Sequence, residues 1–308
     1  MSESGSWVEI IVPVGAADVD DVAALIASEV SAAAAGTEQR GDEVVFWVAA
    51  ADAPAALAEA QDAVTRWRAG GLSVDPSRIR LAAAMPEAEW RDAWKKYFRV
   101  SRLTRQLVVV PSWERFIAAP EDVVIDLDPG MAFGTGTHAS TQLVLEEIQA
   151  LADRAPATGP ASVLDVGCGS GILAIAAVKL WPGARCVALD NDPIAIAATQ
   201  ANAAINQVAD RIDASTRALP GTAVDADAGG PFPLVLANIQ AHVLRELRAA
   251  LIAHLAPGGT LILSGLLTPQ AQPLADEFVA AGLQCAHVRA STGDPQWSCA
   301  VLVRGRVQ

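Results

Sequence analysis

The chain predicts a doubly wound α/β domain, built on a mainly parallel sheet, with a smaller α/β unit ahead of it. Three observations carry this. From residue 162 onward, short apolar runs alternate with stretches of helical period, joined by short connections. Within that region, Val163-Leu-Asp-Val-Gly-Cys-Gly-Ser-Gly171 ends a strand in an acid, turns through three alternate glycines and enters the apolar run 172–178. Glycines there allow a tight turn and let a ligand lie against the main chain with no Cβ in the way. Finally, residues 1–85 order their elements β-α-β-β-α-β.

In the first unit, residues 8–14 read as a strand and residues 18–31 as a helix, with apolar Val22, Leu25, Ile26 and Val30 on one face. Residues 43–48 form the next clear strand. A further strand within 33–39 is weakened by its alanines. Residues 54–68 read as a helix, opened by Pro54 and closed by Gly70-Gly71, and residues 78–81 as a short closing strand. This order is ferredoxin-like. The unit contains no histidine and no cysteine, so recognition suits it better than reaction.

Residues 86–113 read as a helical linker region. Trp90, Trp94 and Phe98 are spaced four apart and share one helix face, a pattern that suits packing against a neighbouring domain. Residues 106–110 and 123–127 read as two strands. The main domain is expected over 114–308. Its strands are 162–165, 185–190, 234–237, 260–264, 285–289 and 298–303, and its helices 173–180, 193–206, 243–255 and 270–281. The last two strands are joined by a Gly293-Asp-Pro295 loop with no helix, which implies an antiparallel hairpin at one edge. Residues 221–233, rich in Gly, Ala, Asp and Pro, read as a surface loop.

Composition narrows the function. The 308 residues carry a net charge of −13, which disfavours direct nucleic-acid binding and suits a basic protein partner. There is no long unbroken apolar run and no basic-then-apolar leader, so neither a membrane span nor a secretory signal is expected. Cys168, Cys186, Cys285 and Cys299 show no C-x-x-C pairing, which implies reduced thiols in the cytoplasm and no metal site.

Three segments carry chemistry. The strand 186–189 ends in Asp190, about twenty residues beyond the glycine loop, where an acid can accept both hydroxyls of a ribose. The segment from Asp126 to Thr141 holds three glycines, three threonines, a serine and His138 ahead of a helix, and suits a carboxylate or similar anion. His138, with no second histidine or cysteine nearby in sequence, reads as structural. A strand end at Asn238 places an amide at the carboxyl edge of the sheet, where it can bond a cofactor amino group or an incoming nucleophile.

The glycine spacing separates two nucleotide classes. A dinucleotide site reads G-x-G-x-x-G, whereas this chain reads D-x-G-x-G-x-G from Asp165 to Gly171. That resembles motif I of the class I S-adenosylmethionine-dependent methyltransferases, whose fold is a Rossmann-like doubly wound sheet with an antiparallel C-terminal edge strand. More specifically, the chain resembles the PrmA family, methyltransferases of large-subunit ribosomal protein eleven. The resemblance rests on Trp90-x-x-x-Trp94 with Phe98, Pro111-Ser-Trp113, Asp128-Pro-Gly-Met-Ala-Phe-Gly-Thr-Gly-Thr-His138, the motif I run to Ala177, Ala237-Asn-Ile239, Leu263-Ser-Gly265 and Trp297-Ser-Cys299. It implies S-adenosyl-L-methionine as cofactor, with contacts at Thr141, Gly167, Asp190 and Asn238, and Phe133, Gly134 and Gly136 beside them. Asp165 and Gly169 join this set from the motif I reading. It also implies a basic ribosomal protein as substrate, modified on lysine side chains and on the N-terminal amine. Ala139 stands where the family usually has proline, Gln240 where it usually has leucine, and the loop from Gly221 is long. These departures touch the acceptor entrance. A related methyltransferase acting on another protein or a small amine, or a non-catalytic assembly factor, are the rival readings. No general base is legible.

Overall fold

The computed structural model describes residues 7–15, 19, 22–23, 25–26, 30, 37–69, 71–82, 99–127, 136, 138–154, 159–219 and 230–306. Contacts divide the chain into two units, Met1–Phe98 and Arg99–Gln308. The linker helix expected around Trp90 and Trp94 lies outside the described residues.

The first unit has β1 (Trp7–Pro13), β2 (Thr37–Arg40), β3 (Glu43–Ala49), α1 (Ala53–Ala69) and β4 (Arg80–Leu81). The sheet order is β2-β3-β1-β4, with β1 antiparallel to both neighbours, as the ferredoxin-like order requires. Alternation along the strands buries Ile10, Val12, Val44 and Phe46. Ala56, Ala60 and Ala63 of α1 join them, so that helix lies close to the sheet. Of the helix expected over 18–31, the described residues 19, 22–23 and 25–26 are helical, and Val22 and Ile26 are fully buried in the same core.

The second unit opens with a small sheet of β5 (Ser101–Arg102), β6 (Leu107–Val110) and β7 (Val123–Asp126), in which β6 and β7 are parallel. The contact boundary falls at residue 99, ahead of this small sheet. There follow α2 (Ala139–Arg154), β8 (Ser162–Val166), α3 (Ile172–Leu180), β9 (Arg185–Leu189), α4 (Pro193–Ile205), β10 (Ile212–Ser215), β11 (Phe232–Asn238), α5 (Ala241–Glu246), α6 (Arg248–His254), β12 (Leu255–Leu267), α7 (Thr268–Ala280), β13 (Leu283–Ala290) and β14 (Trp297–Arg304). The large sheet runs β10-β9-β8-β11-β12-β14-β13. Strands β8 to β12 pair in parallel, and β14 runs antiparallel to both β12 and β13.

The antiparallel hairpin therefore sits at the sheet edge, with β14 as its inner strand and β13 outermost. The helix expected over 243–255 is two short helices meeting at Leu247. The seven residues from Ile172 to Val178 are all buried, and α3 is apolar all round. The reason is its position between β8 of the large sheet and β7 of the small one, where both faces lie against protein. The chain winds outward from β8 to β10 on one side and from β11 to β12 on the other. That reversal puts a crevice above the carboxyl ends of β8 and β11.

Candidate active site

A cavity of about 720 Å³ opens at this crevice, within the size range of small-molecule sites. Gly167 and Gly169 form one wall. Asp190 and Asn191 follow β9, and Thr216 to Leu219 follow β10. Asn238 ends β11 and Ile239 and Gln240 follow it, and His138, Gly265 and Trp297 are also in the wall.

The glycine loop is held from below. Gly167 and Cys168 donate their N–H groups to the Leu189 carbonyl at 2.7 and 3.0 Å, and Thr199 Oγ1 donates to the Gly169 carbonyl at 2.9 Å. Gly167, Gly169 and Gly171 all have positive φ, which glycine alone adopts without strain. At Gly167, however, a Cβ would lie 2.2 Å from Ile239 Cγ2. The space next to that glycine belongs to a side chain of the neighbouring strand end, not to open cavity.

Asp190 accepts the Gly169 N–H at 2.9 Å on Oδ2 and the Asp192 N–H at 3.0 Å on Oδ1. Each carboxylate oxygen keeps a lone pair for a further donor, so Asp190 is fixed in place and still able to receive two hydroxyls. Asn238 donates Nδ2 to Thr141 Oγ1 at 3.2 Å. Its Oδ1 is buried and has no hydrogen-bond partner among the described residues. Asn238 lines the cavity as a residue, and an unsatisfied buried carbonyl is costly.

Asp165 and Thr141 stand behind the wall. Asp165 is fully buried, accepts the Ala174 N–H at 3.2 Å on Oδ2, and has Oδ1 without a partner. Burial, aided by the Asp190 charge, pushes its carboxyl up to about 7. Thr141 is also buried and reaches the cavity through its bond to Asn238. Gly136 packs elsewhere, since its Cβ would meet Ile172 Cδ1 at 2.7 Å at the start of α3. Phe133 and Gly134 lie outside the described residues.

A profile of the family described as ribosomal protein L11 methyltransferase (PrmA) matches residues 6–305. The chain belongs to the PrmA family. It is 45% identical over 220 residues to the ribosomal protein L11 methyltransferase of Geobacter metallireducens, covering 71% of this chain and 68% of that protein. It is 40% identical over 234 residues to that of Syntrophotalea carbinolica, covering 76% and 71%. The crystal structure of a ribosomal protein L11 methylase from Lactobacillus delbrueckii subsp. bulgaricus matches at a TM-score of 0.57 and 34% identity, over 68% of this chain and 100% of that one. The fold is the Rossmann-like fold of class I methyltransferases, and a methyl donor is what a PrmA family site holds.

Several lining residues of this PrmA family cavity were not legible. Thr216, Arg217, Ala218 and Leu219 follow a strand too short and polar to be read, and Val243 and Leu247 arrive from a helix. His138, read as structural, lines the cavity. Its Nδ1 lies 2.8 Å from Ser140 Oγ, and its ring meets Trp297 edge-on at 4.6 Å. Burial lowers its pKa below the usual histidine value, against a smaller opposing pull from Asp294. The neutral ring is favoured. Cys168 is buried, and desolvation pushes its thiol up to about 12, so it is no nucleophile. Among the described residues no cluster could hold a metal ion, and no helix is long and apolar enough to cross a membrane.

Proposed function

We propose that this chain is an S-adenosyl-L-methionine-dependent N-methyltransferase that modifies lysine side chains, and the N-terminal amine, of ribosomal protein L11. The observation that carries the reading is that Asp190 and Asn238 line one cavity from opposite sides of the glycine loop. Asp190 suits a ribose diol. Asn238 suits the N–H of an amine. The residues present fit the cofactor in chemical type: an acid with spare lone pairs, a backbone turn with positive φ, and apolar side chains for a base.

When bound, the cofactor supplies an electrophilic methyl group on a sulfonium. The protein has then to present a neutral amine in line with it. A lysine amine is protonated at neutral pH and loses its proton more readily when desolvated. Val166, Ile239, Val243, Leu247 and Trp297 make an apolar wall that excludes water from such an amine. The Asn238 amide oxygen accepts an N–H and aims the nitrogen. No side chain is assigned as general base.

In this reading, residues 1–85 recognise the substrate, 86–113 form a helical linker, and 114–308 carry the cofactor. The net charge of −13 complements a basic ribosomal protein, with no direct nucleic-acid contact, and the working compartment is the cytoplasm. Transfer of labelled methyl from S-adenosylmethionine to purified L11, with modified positions located by mass spectrometry, tests it. Label appearing only on another protein or a small amine, or nowhere, overturns it.

A further inference from the structure

Asn238 is the residue whose placement the proposed chemistry depends on most, and three features of the tip of β12 converge on it. The first is a bulge. Leu263 pairs with Ala300 of β14, but the next pair is Leu266 with Ser298, so β12 holds one more residue than its partner across Ser264 and Gly265. Bulges of this kind re-aim side chains and are frequent beside active sites. The second is Ser264. It lies beside Asn238 in the parallel pairing of β11 with β12, is fully buried, and donates its hydroxyl to the Ser140 carbonyl at 2.8 Å. Ser140 precedes Thr141, whose hydroxyl receives Asn238 Nδ2. The third is Gly265. Its φ is +78°, and a Cβ there would lie 2.7 Å from the Ile239 carbonyl oxygen and 3.0 Å from the Ile239 carbonyl carbon and amide nitrogen. Ile239 is the residue after Asn238.

We propose that the Ser264–Gly265 bulge is a positioning device for Asn238: Ser264 anchors the helix start that holds the amide NH2, and Gly265 opens the seat for the backbone that follows it. With one end of the side chain and the adjoining main chain both fixed, Oδ1 has a single aim. Ser264 stands behind the cavity wall and Gly265 lines it with backbone alone, so neither brings a side-chain group to the reacting atoms. They act through Asn238, so their loss lowers the rate of transfer more than it weakens cofactor binding, which Asp190 still supports. A misplacement of about 1 Å at a reacting group costs on the order of 100-fold in rate. The inference rests on the methyltransferase reading above.

The test uses the full chain with Ser264→Ala, and the pair Ser264→Thr and Ser264→Val, which share a shape and differ in the hydroxyl. Three quantities are measured: kcat for methyl transfer to L11, the Kd of S-adenosylmethionine by calorimetry, and the side-chain amide resonances of Asn238 by NMR. We expect kcat to fall roughly 10- to 100-fold in Ser264→Ala and Ser264→Val, with Ser264→Thr well above Ser264→Val. Cofactor Kd rises by less than kcat falls, and the Asn238 amide pair shifts or broadens in the Ala and Val variants alone. Wild-type kcat in Ser264→Ala overturns the inference. So do equal rates for Thr and Val, or a loss of kcat matched by an equal loss of cofactor affinity. If the wild-type protein itself transfers no methyl, the methyltransferase reading falls, and this inference with it. Transfer by wild type that is undiminished in Ser264→Ala sinks the inference alone.

Discussion

Asp165 is the strongest case for a measurable perturbation, because its environment changes its protonation and not only its contacts. The carboxyl is fully buried beneath the glycine loop, with one oxygen bonded to the Ala174 N–H and the other unpartnered among the described residues. Desolvation and the nearby Asp190 charge raise it from 3.8 to about 7. The folded pKa therefore lies above the unfolded one. Between these values the native state binds more protons than the unfolded state, and stability falls as pH rises. The contribution is fully present below about pH 4 and lost as pH climbs through about 7. A gap of about three units at 1.36 kcal/mol per unit amounts to ~4 kcal/mol. Asp165→Asn keeps the shape and one acceptor but cannot ionise. Its stability relative to wild type should therefore improve by ~4 kcal/mol between pH 4 and pH 8, whatever the constant offset from the new amide. Urea unfolding followed by tryptophan fluorescence, run on both proteins across that range, gives the difference directly. A gap that stays constant with pH would show that Asp165 ionises normally in the fold and would refute the argument.

Asp190→Ala should weaken S-adenosylmethionine binding by roughly 1.5–3 kcal/mol for each charge-assisted hydrogen bond lost; calorimetry giving wild-type affinity in a folded variant would remove Asp190 from the site. Gly167→Ala drives a Cβ to 2.2 Å from Ile239 Cγ2, and such overpacking costs about 1–3 kcal/mol. Adding Ile239→Ala should recover part of that in thermal unfolding, whereas no recovery would mean that the positive φ alone demands glycine. Deleting residues 1–80 should leave cofactor affinity within a few-fold while methylation of L11 collapses. Full-rate methylation by the folded remainder would end the recognition role of the first unit.

Much of the fold was legible because of where its strands lie. Strands buried on both faces of a parallel sheet read as continuous apolar runs, and β8, β11 and the middle of β12 are of that kind. β10 was missed for the same physical reason in reverse. It is a four-residue strand at the sheet edge, Ile-Asp-Ala-Ser, with only Ile212 buried. No periodicity can build up in two alternations. The two-residue β5 is below any pattern at all. The break at Leu247 escaped because α5 and α6 together keep an apolar face, and nothing in their composition marks the interruption.

The lining of the candidate cavity was legible where one segment supplies both a turn and a lining residue, as at Asp190 and Asn238, and illegible where only sheet order brings parts together. Trp297 faces His138 because β14 inserts beside β12, and no local pattern carries that fact. The glycine loop sharpens the distinction. Its conformation could be read from three alternate glycines, yet the occupant of the space beside Gly167 could not. That occupant is Ile239, and Gly265 closes on the same residue from the other side. Two glycines some hundred residues apart in sequence thus pack against residue 239, Gly167 on its side chain and Gly265 on its backbone. The residue they share adjoins Asn238, so a packing constraint and a chemical one meet at a single strand end. If the bulge positions Asn238 as proposed, a chain that kept the motif I glycines but enlarged residue 265 would retain the conformation of the glycine loop and lose the aim of the amide.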